Sequence, residues 1–599
     1  MSSRLPFAVL TLGMLVTACA PAENGPAREP SPMVAPPSEE AVAAAREEFV
    51  ELRDAFLPWY YEAHPVRATQ LGIHTHDARL PALDRTAIQG RIDRLLEWLA
   101  RLQEVPFPFL PDEERYDYAV LEFALQAALL ELEETRSWVR DPRVYTSTIA
   151  AGASSIAQRA YAPESERQDA LAARLAEAPG LLDAARQNLS SPPRLWTELA
   201  IDEAEALMEF LESGLPTMFA GGAAGSIGPE VEAARDRLVA ALAEHRDWLE
   251  SDLLPRSTGS YVLGRYLFER KLLYEEHIAL SVEELSRLNE EAIAEYRAWF
   301  ERVAAEIDPD RAPAEIMDSI LAEHPTPEEL LPAARNTMAQ ARDWVARVGV
   351  VPLPVSDLPT VREMPSYARR TSVHLDSPGP FESPELESFF YITSALPDWS
   401  EAEVQEYLAS FNRSGLVSLT VHETFPGRYV QQAYEREASD LRRIFTAPSL
   451  VDGWAHYAEQ MALDEGFSDD PGVRLAQLRR ALQHHARWHA ALELHALGGD
   501  LEAVVRRFME IAHLPEFTAR REVVRATYDP LYLAGALGRI QINELRDDYR
   551  EHLEEEDEVF RLAAFHERLL SLGLPLPLAR EVMIPLPERG TRAERGGGR

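Results

Sequence analysis

The sequence predicts a mainly α-helical protein with a few short strands gathered in one internal stretch. Apolar residues recur at helical spacing over most of residues 41–588, and only 350–396, broken by many prolines, departs from that period. The 599 residues exceed the roughly 250–300 at which one core stops growing, so two or more lobes, or one large helical array, are expected. No fixed-period repeat is present, which argues against a solenoid.

The chain opens as an address. Arg4 supplies a short positive region, and Phe7 to Val16 form an apolar stretch too short to span a bilayer comfortably. Val16-Thr17-Ala18-Cys19 then resembles a lipobox, in which Cys19 is acylated and becomes the mature N-terminus; Cys19 is the only cysteine. Residues 1–18 are therefore read as a lipoprotein signal peptide and 19–40 as acylated cysteine plus tether. Residues 20–40 hold six prolines and no aromatic residue, as a linker does. The helical body follows. Ser281 with Glu284, and Thr326-Pro327 with Glu329, are capping boxes that begin amphipathic helices. Amphipathic runs also cover 114–136, 228–250 and 473–497. Within 350–396, Val350-Val351, Val373-His374-Leu375 and Phe389 to Ile392 read as short strands. They would either hold an extended peptide by main-chain hydrogen bonds or simply cover the helical core. Residues 589–599 read as a disordered tail.

The formal charge of −39 and an apolar fraction of 46% describe a soluble folded chain, which excludes global disorder. The acidity argues against a nucleic-acid partner. A single cysteine excludes a disulfide framework and cysteine-based zinc sites.

The chemistry concentrates at 415–460. His422-Glu423 follows an apolar run and precedes Pro426-Gly427, a context absent around the other His-Glu pair, His566-Glu567. In HExxH zinc hydrolases the histidine ligates metal and the glutamate is general base. Here position 426 is proline, so that motif is absent, and the residue that could turn back into the site is Arg428, which stays protonated and cannot ligate. Asp452, His456 and Glu459 lie at i, i+4 and i+7, on one helical face. His484, His485, His489 and His495 share another predicted helix, with His485 and His489 spaced as a metal pair.

Taken together, His422-Glu423-x-x-Pro426-Gly427, Gly453-Trp454-Ala455-x-Tyr457-Ala458-Glu459, the early Ala63 to Gly72 run and the late Pro530 to Arg546 block resemble a bacterial family catalogued as domain of unknown function 885 (DUF885), grouped with gluzincin-like zinc metallopeptidases. The likeness spans most of 45–580. It implies a large two-lobed helical, metallopeptidase-like fold over 41–588 with a metal cleft between lobes. It further implies three ligands: the two histidines of a pattern HExxPGH and the glutamate opening EGWAxYAE. This chain departs from the pattern at two of those positions, carrying Arg428 and Asp452, and has Ala491 where the family usually carries an aspartate four residues before the histidine matching His495. The expected metal set is accordingly His422, Asp452 and an added imidazole, His456, around zinc. Glu423 is the expected base, with Tyr532 and Arg539 reaching the cleft to steady an oxyanion; Arg428, Glu459 and His495 are further cleft residues. Two functions stay open. One is a membrane-tethered peptidase-like hydrolase of the cell envelope, on the periplasmic face of the outer membrane if the host has two membranes. The other is an inactive relative, its Arg428 paired with Asp452 or Glu423, that binds a peptide or a protein.

Overall fold

A computed structural model describes residues 37–219 and 227–585, apart from 356, 366–367, 370, 384–385 and 396–398. Cys19, the signal segment, most of the tether and the tail at 589–599 lie outside the described residues. The fold is mainly α. The first helix, Glu39–Ala63, begins two residues inside the expected tether because Ser38 caps it, its side chain accepting from the Ala41 N–H at 3.2 Å. Both expected capping boxes are formed, starting the helices Val282–Ile307 and Pro327–Val348. Among the described residues no helix is long and apolar enough to cross a membrane.

The described strands make one small sheet of order β1-β3-β2, with β1 Thr360–Glu363, β2 Val373–Asp376 and β3 Phe389–Ile392. β1 runs parallel to β3, and β2 runs antiparallel with His374 opposite Tyr391. All four β3 residues are buried, as a central strand covered on both faces requires. Two of the three expected strands are present. Val350-Val351 is instead a buried bend after the Pro327–Val348 helix, and β1 takes the third place. Two apolar residues in a row mark burial but not pairing.

Apolar packing among the described residues forms one large cluster, two smaller ones and a minor group of Met364, Phe389 and Tyr391. The large cluster joins the N-terminal helices to the sheet and to the 413–464 region. The smaller ones gather on opposite sides of the long helix Pro471–Leu492, against Val282–Ile307 and against Arg265–Glu276. The helix Pro448–Asp464 crosses Ala534–Glu555 where Gly453 meets Gly538. A Cβ on Gly538 would lie 2.0 Å from the Ser449 carbonyl oxygen, so only glycine permits this approach. That crossing explains why both blocks carry a glycine.

The Ala63–Gly72 run anchors the sheet region to the N-terminal helices. The short helix Pro65–Leu71 is followed by His74, whose ring is stacked on Tyr161 at 3.6 Å. Nδ1 of His74 is 2.9 Å from Asp77, and Nε2 is 2.8 Å from Glu382 in the stretch between β2 and β3. Arg436 donates to the carbonyls of Pro378, Gly379 and Glu382, clamping that stretch from its other side. Burial disfavours the His74 cation, but the two carboxylates outweigh it and raise its pKa to about 9. A histidine raised in the folded state stabilises fully below its unfolded pKa, and that contribution fades as pH rises through the folded value. The clamp should therefore contribute about 1–3 kcal/mol near pH 6 and little by about pH 10. The melting gap between wild type and His74→Gln should be wide at the lower pH and close at the higher; a gap independent of pH would refute the charged clamp.

Candidate functional site

The apolar run before His422 forms the helix Arg413–Glu423, capped by the Asn412 side chain, which accepts from the Gly415 N–H at 2.8 Å. The helix stops at Glu423, and a new one, Arg428–Glu435, starts four residues after the intervening turn opens. The two ends of the first motif thus sit on different helices. Gly427 N–H donates back to the Val421 carbonyl at 3.1 Å. A Cβ at Gly427 would fall 2.0 Å from the His422 carbonyl oxygen, so this reversal needs glycine. Trp454 Nε1 donates to the Pro426 carbonyl at 2.9 Å and ties the turn to the second-motif helix, Pro448–Asp464.

His422, Glu423 and Glu459 converge. His422 Nδ1 is 2.8 Å from Glu459 Oε1, and its Nε2 lies 4.0 Å from Glu423 Oε1. Glu459 is 1% exposed and is also held by Arg480, at 3.1 and 3.3 Å. Burial works against its charge, but Arg480 and His422 outweigh it and hold its pKa down at about 2. Glu423 Oε2 is buried and makes no well-formed hydrogen bond. Arg428 turns back toward the second motif and forms an ion pair with Asp452. Burial opposes the guanidinium, yet Asp452 first and Glu423 second raise its pKa. The pair is partly open to the cleft, with side chains 25% and 38% exposed, so it contributes about 0.5–1 kcal/mol rather than the larger energy of a sequestered pair. Glu423 and Arg428 both act electrostatically on His374, an exposed residue of the edge strand β2. Beyond His374 a cavity of about 410 Å³ continues between the sheet and the helices Arg143–Ala157 and Arg194–Glu209, lined by Asp376, Tyr391, Ser154 and Tyr528 among others.

The other expected residues fall elsewhere. His456 is fully buried and stacks on His484 with ring centroids 4.0 Å apart; burial brings its pKa down to about 4. Its described contacts do not include Asp452. Tyr532 donates to Glu522 at 2.6 Å, and Glu522 in turn takes a two-pronged contact from Arg487 at 2.7 and 3.0 Å. Arg487 is felt by Asp452, so this network borders the cleft, but Tyr532 is committed to holding it together. Burial and the Glu522 carboxylate raise the Tyr532 pKa despite Arg487 and Arg525. Arg539 points to Gln460 and lies over the Tyr296 ring at 4.6 Å. His495 Nε2 is 2.7 Å from the Ala526 carbonyl, where it fixes a helix end. Arg539 and His495 are thus placed for packing and positioning, and their described contacts do not include Glu423. His485 pairs with Asn289 at 2.8 Å, so the i, i+4 pair of His485 and His489 does not face the motifs. The residue of that helix that does is His484, with Nε2 4.0 Å from Glu459 Oε1. Arg480, His484 and Arg487 repeat the i, i+4, i+7 spacing of Asp452, His456 and Glu459, a signal available in the sequence.

The profile of a family described as bacterial proteins of unknown function (DUF885) matches residues 65–583. The chain belongs to the DUF885 family. None of the curated proteins compared matches it. Among solved structures it is similar to a candidate lipoprotein of unknown function from Shewanella oneidensis, with 23% identity and TM-score 0.73 over 89% of this chain and 99% of that one. It is also similar to a candidate lipoprotein from Colwellia psychrerythraea, with 17% identity and TM-score 0.66 over 91% and 98%. At these identities the likeness establishes the fold alone.

The Gly427 turn is the part of the motif whose mechanical role is sharpest. Gly427→Ala should cost about 3 kcal/mol, because two backbone oxygens would have to move. Urea unfolding measures this, and a loss under about 1 kcal/mol would show that the reversal tolerates a side chain.

Proposed function

We propose that this DUF885 member is a cell-envelope lipoprotein that binds an extended peptide in the cleft beside β2, with the zinc-hydrolase chemistry of its motif lost. One observation carries the reading: the Arg428–Asp452 ion pair occupies the two ligand positions at which the chain departs from the family pattern. The residues do not fit zinc at that place. A guanidinium has no lone pair to give and a fixed charge that repels a cation, and it already occupies the carboxylate that would otherwise ligate. The edge of β2 supports peptide recognition. Its outer side has no strand partner among the described residues, and main-chain groups there can pair with an added strand. His374, the Glu423 carboxylate and the Arg428–Asp452 pair would then read side chains at successive positions, and the 410 Å³ cavity would receive the far end.

Arg428→His should let zinc into the family position, and Asp452→Glu in the same chain should raise the affinity again by restoring reach. By calorimetry the double variant should bind zinc there at least about tenfold more tightly than wild type. The reading is overturned if untagged wild type hydrolyses a fluorogenic peptide and Glu423→Gln abolishes that activity, since the carboxylate would then be acting as a base.

Anchoring rests on Cys19 at the end of the lipobox, and the two candidate lipoproteins of the same fold support it. Two or more acyl chains, at about 0.8 kcal/mol per buried CH₂, hold a protein firmly at a membrane. Cys19→Ser should leave unprocessed precursor or move the protein to the soluble fraction. Equal membrane partition with an unchanged N-terminal mass would exclude the anchor. The periplasmic face of an outer membrane is the proposed site in a host with two membranes, because Ala20 follows the cysteine where a retention signal would carry aspartate.

A further inference from the structure

Below the Arg428–Asp452 pair lies a second group of donors that the family pattern does not combine. His422, Glu459 and His484 come from three helices, Arg413–Glu423, Pro448–Asp464 and Pro471–Leu492, and each offers a ligand atom within 4.8 Å of the others. All three are buried, at 5%, 1% and 7% exposure. Glu459 Oε1 is the common vertex, 2.8 Å from His422 Nδ1 and 4.0 Å from His484 Nε2. The longer distance is beyond a hydrogen bond. Two bonds of about 2.0–2.1 Å to one tetrahedral cation would span about 3.3 Å, so an ion would draw His484 and Glu459 slightly together.

We infer that His422, Glu459 and His484 form a buried site for a divalent transition-metal ion of the zinc class, displaced from the position that Arg428 and Asp452 have closed. The donor set is two imidazoles and one carboxylate, which suits zinc, cobalt or nickel and disfavours magnesium and calcium, which take oxygen ligands. Charge is compatible. Glu459 is held by Arg480, which bonds both its oxygens and would remain as an outer partner on Oε2.

A separate observation points to the same place. His456 is fully buried, its ring nitrogens make no well-formed hydrogen bond, and its face is stacked on His484 at 4.0 Å. A third imidazole in a wholly interior position, with only the Gly535 backbone near enough to bond it, is costly unless it serves the cluster. Here it fixes the plane of His484 so that Nε2 is turned toward Glu459, while Gly535 leaves room at the opposite edge; a Cβ there would sit 3.4 Å from His484 Nδ1. Filling the site requires the His422–Glu459 contact to lengthen and the His422 ring to carry its proton on Nε2, leaving Nδ1 a lone pair. The ion would join the three helices that make the cleft floor, and its role would be structural, since its ligands are closed in by protein.

The test uses full-length mature protein without a metal-affinity tag, stripped with chelator and titrated with zinc, with metal content read by elemental analysis and stability by melting. About one zinc per chain and a rise in melting temperature are expected. His484→Gln and Glu459→Gln should each weaken binding at least about tenfold and abolish the thermal shift. His485→Gln, on the face paired with Asn289, should change neither. Cobalt-loaded wild type should show an absorption spectrum of low-coordinate nitrogen and oxygen ligands, a readout that does not depend on the variants folding. No zinc in the wild type, or zinc retained in His484→Gln, overturns the inference. The proposed cleft reading fails differently: zinc that survives His484→Gln but is lost in Asp452→Ala would place the metal at the family position after all.

Discussion

A carboxylate sealed inside a protein must be paired, and Glu459 is the point on which the centre of this molecule turns. It is almost wholly excluded from water and is served from two other helices, by His422 on one side and Arg480 on the other. Removing either partner would leave a buried charge incompletely compensated, at a cost of several kcal/mol. The requirement fixes the relative depth of the three helices Arg413–Glu423, Pro448–Asp464 and Pro471–Leu492. It also sets which edge of His422 faces the protein and which faces Glu423. The Gly453–Gly538 crossing and the Gly427 reversal then place the remaining motif residues around that centre.

Against this retained scaffold, the change at position 428 is local. The turn that brings residue 428 back toward the second motif is present, and its tether from Trp454 is intact. What differs is the group delivered. A neutral imidazole would leave Asp452 free to ligate, whereas a guanidinium satisfies Asp452 itself and closes the position by charge. The pair remains partly solvated, so it adds little to stability. Under the proposed function its significance is chemical: it presents a fixed cation and anion to whatever enters the cleft.

The sheet region is held to the rest by contacts that do not involve the motifs directly. His74 bridges carboxylates from two parts of the chain, and Arg436, just beyond the first-motif helix, grips the same stretch by its carbonyls. These clamps, together with Leu375 packed into the large apolar cluster, position β2 near Glu423. The polar clamps on this wall should respond to pH more readily than its apolar packing.

The helical class, both capping boxes, two of the strands and the importance of 422–459 were legible in the sequence, because periodicity, caps and glycine-linked turns are local properties. So was the alternative that Arg428 would pair with Asp452, since opposite charges on adjoining motifs have few other outcomes. Which histidine joins the centre was not legible. His456 shares a face with Asp452, yet crossing angle and depth turn it toward His484. His485 and His489 have metal-like spacing, yet Asn289 claims His485, and His484, one residue earlier, faces Glu459. A helix shifts direction by about 100° per residue, so only the packing of one helix on another decides which neighbour looks inward. Tyr532, Arg539 and His495 were placed in the cleft by their motif, and long-range contacts with Glu522, Gln460 and the Ala526 carbonyl gave them other tasks. Local sequence determined the elements and the residue types available for chemistry. Tertiary packing decided which of those residues meet, because burial makes every charged or polar side chain find a partner, and the nearest partner in space is set by the whole fold.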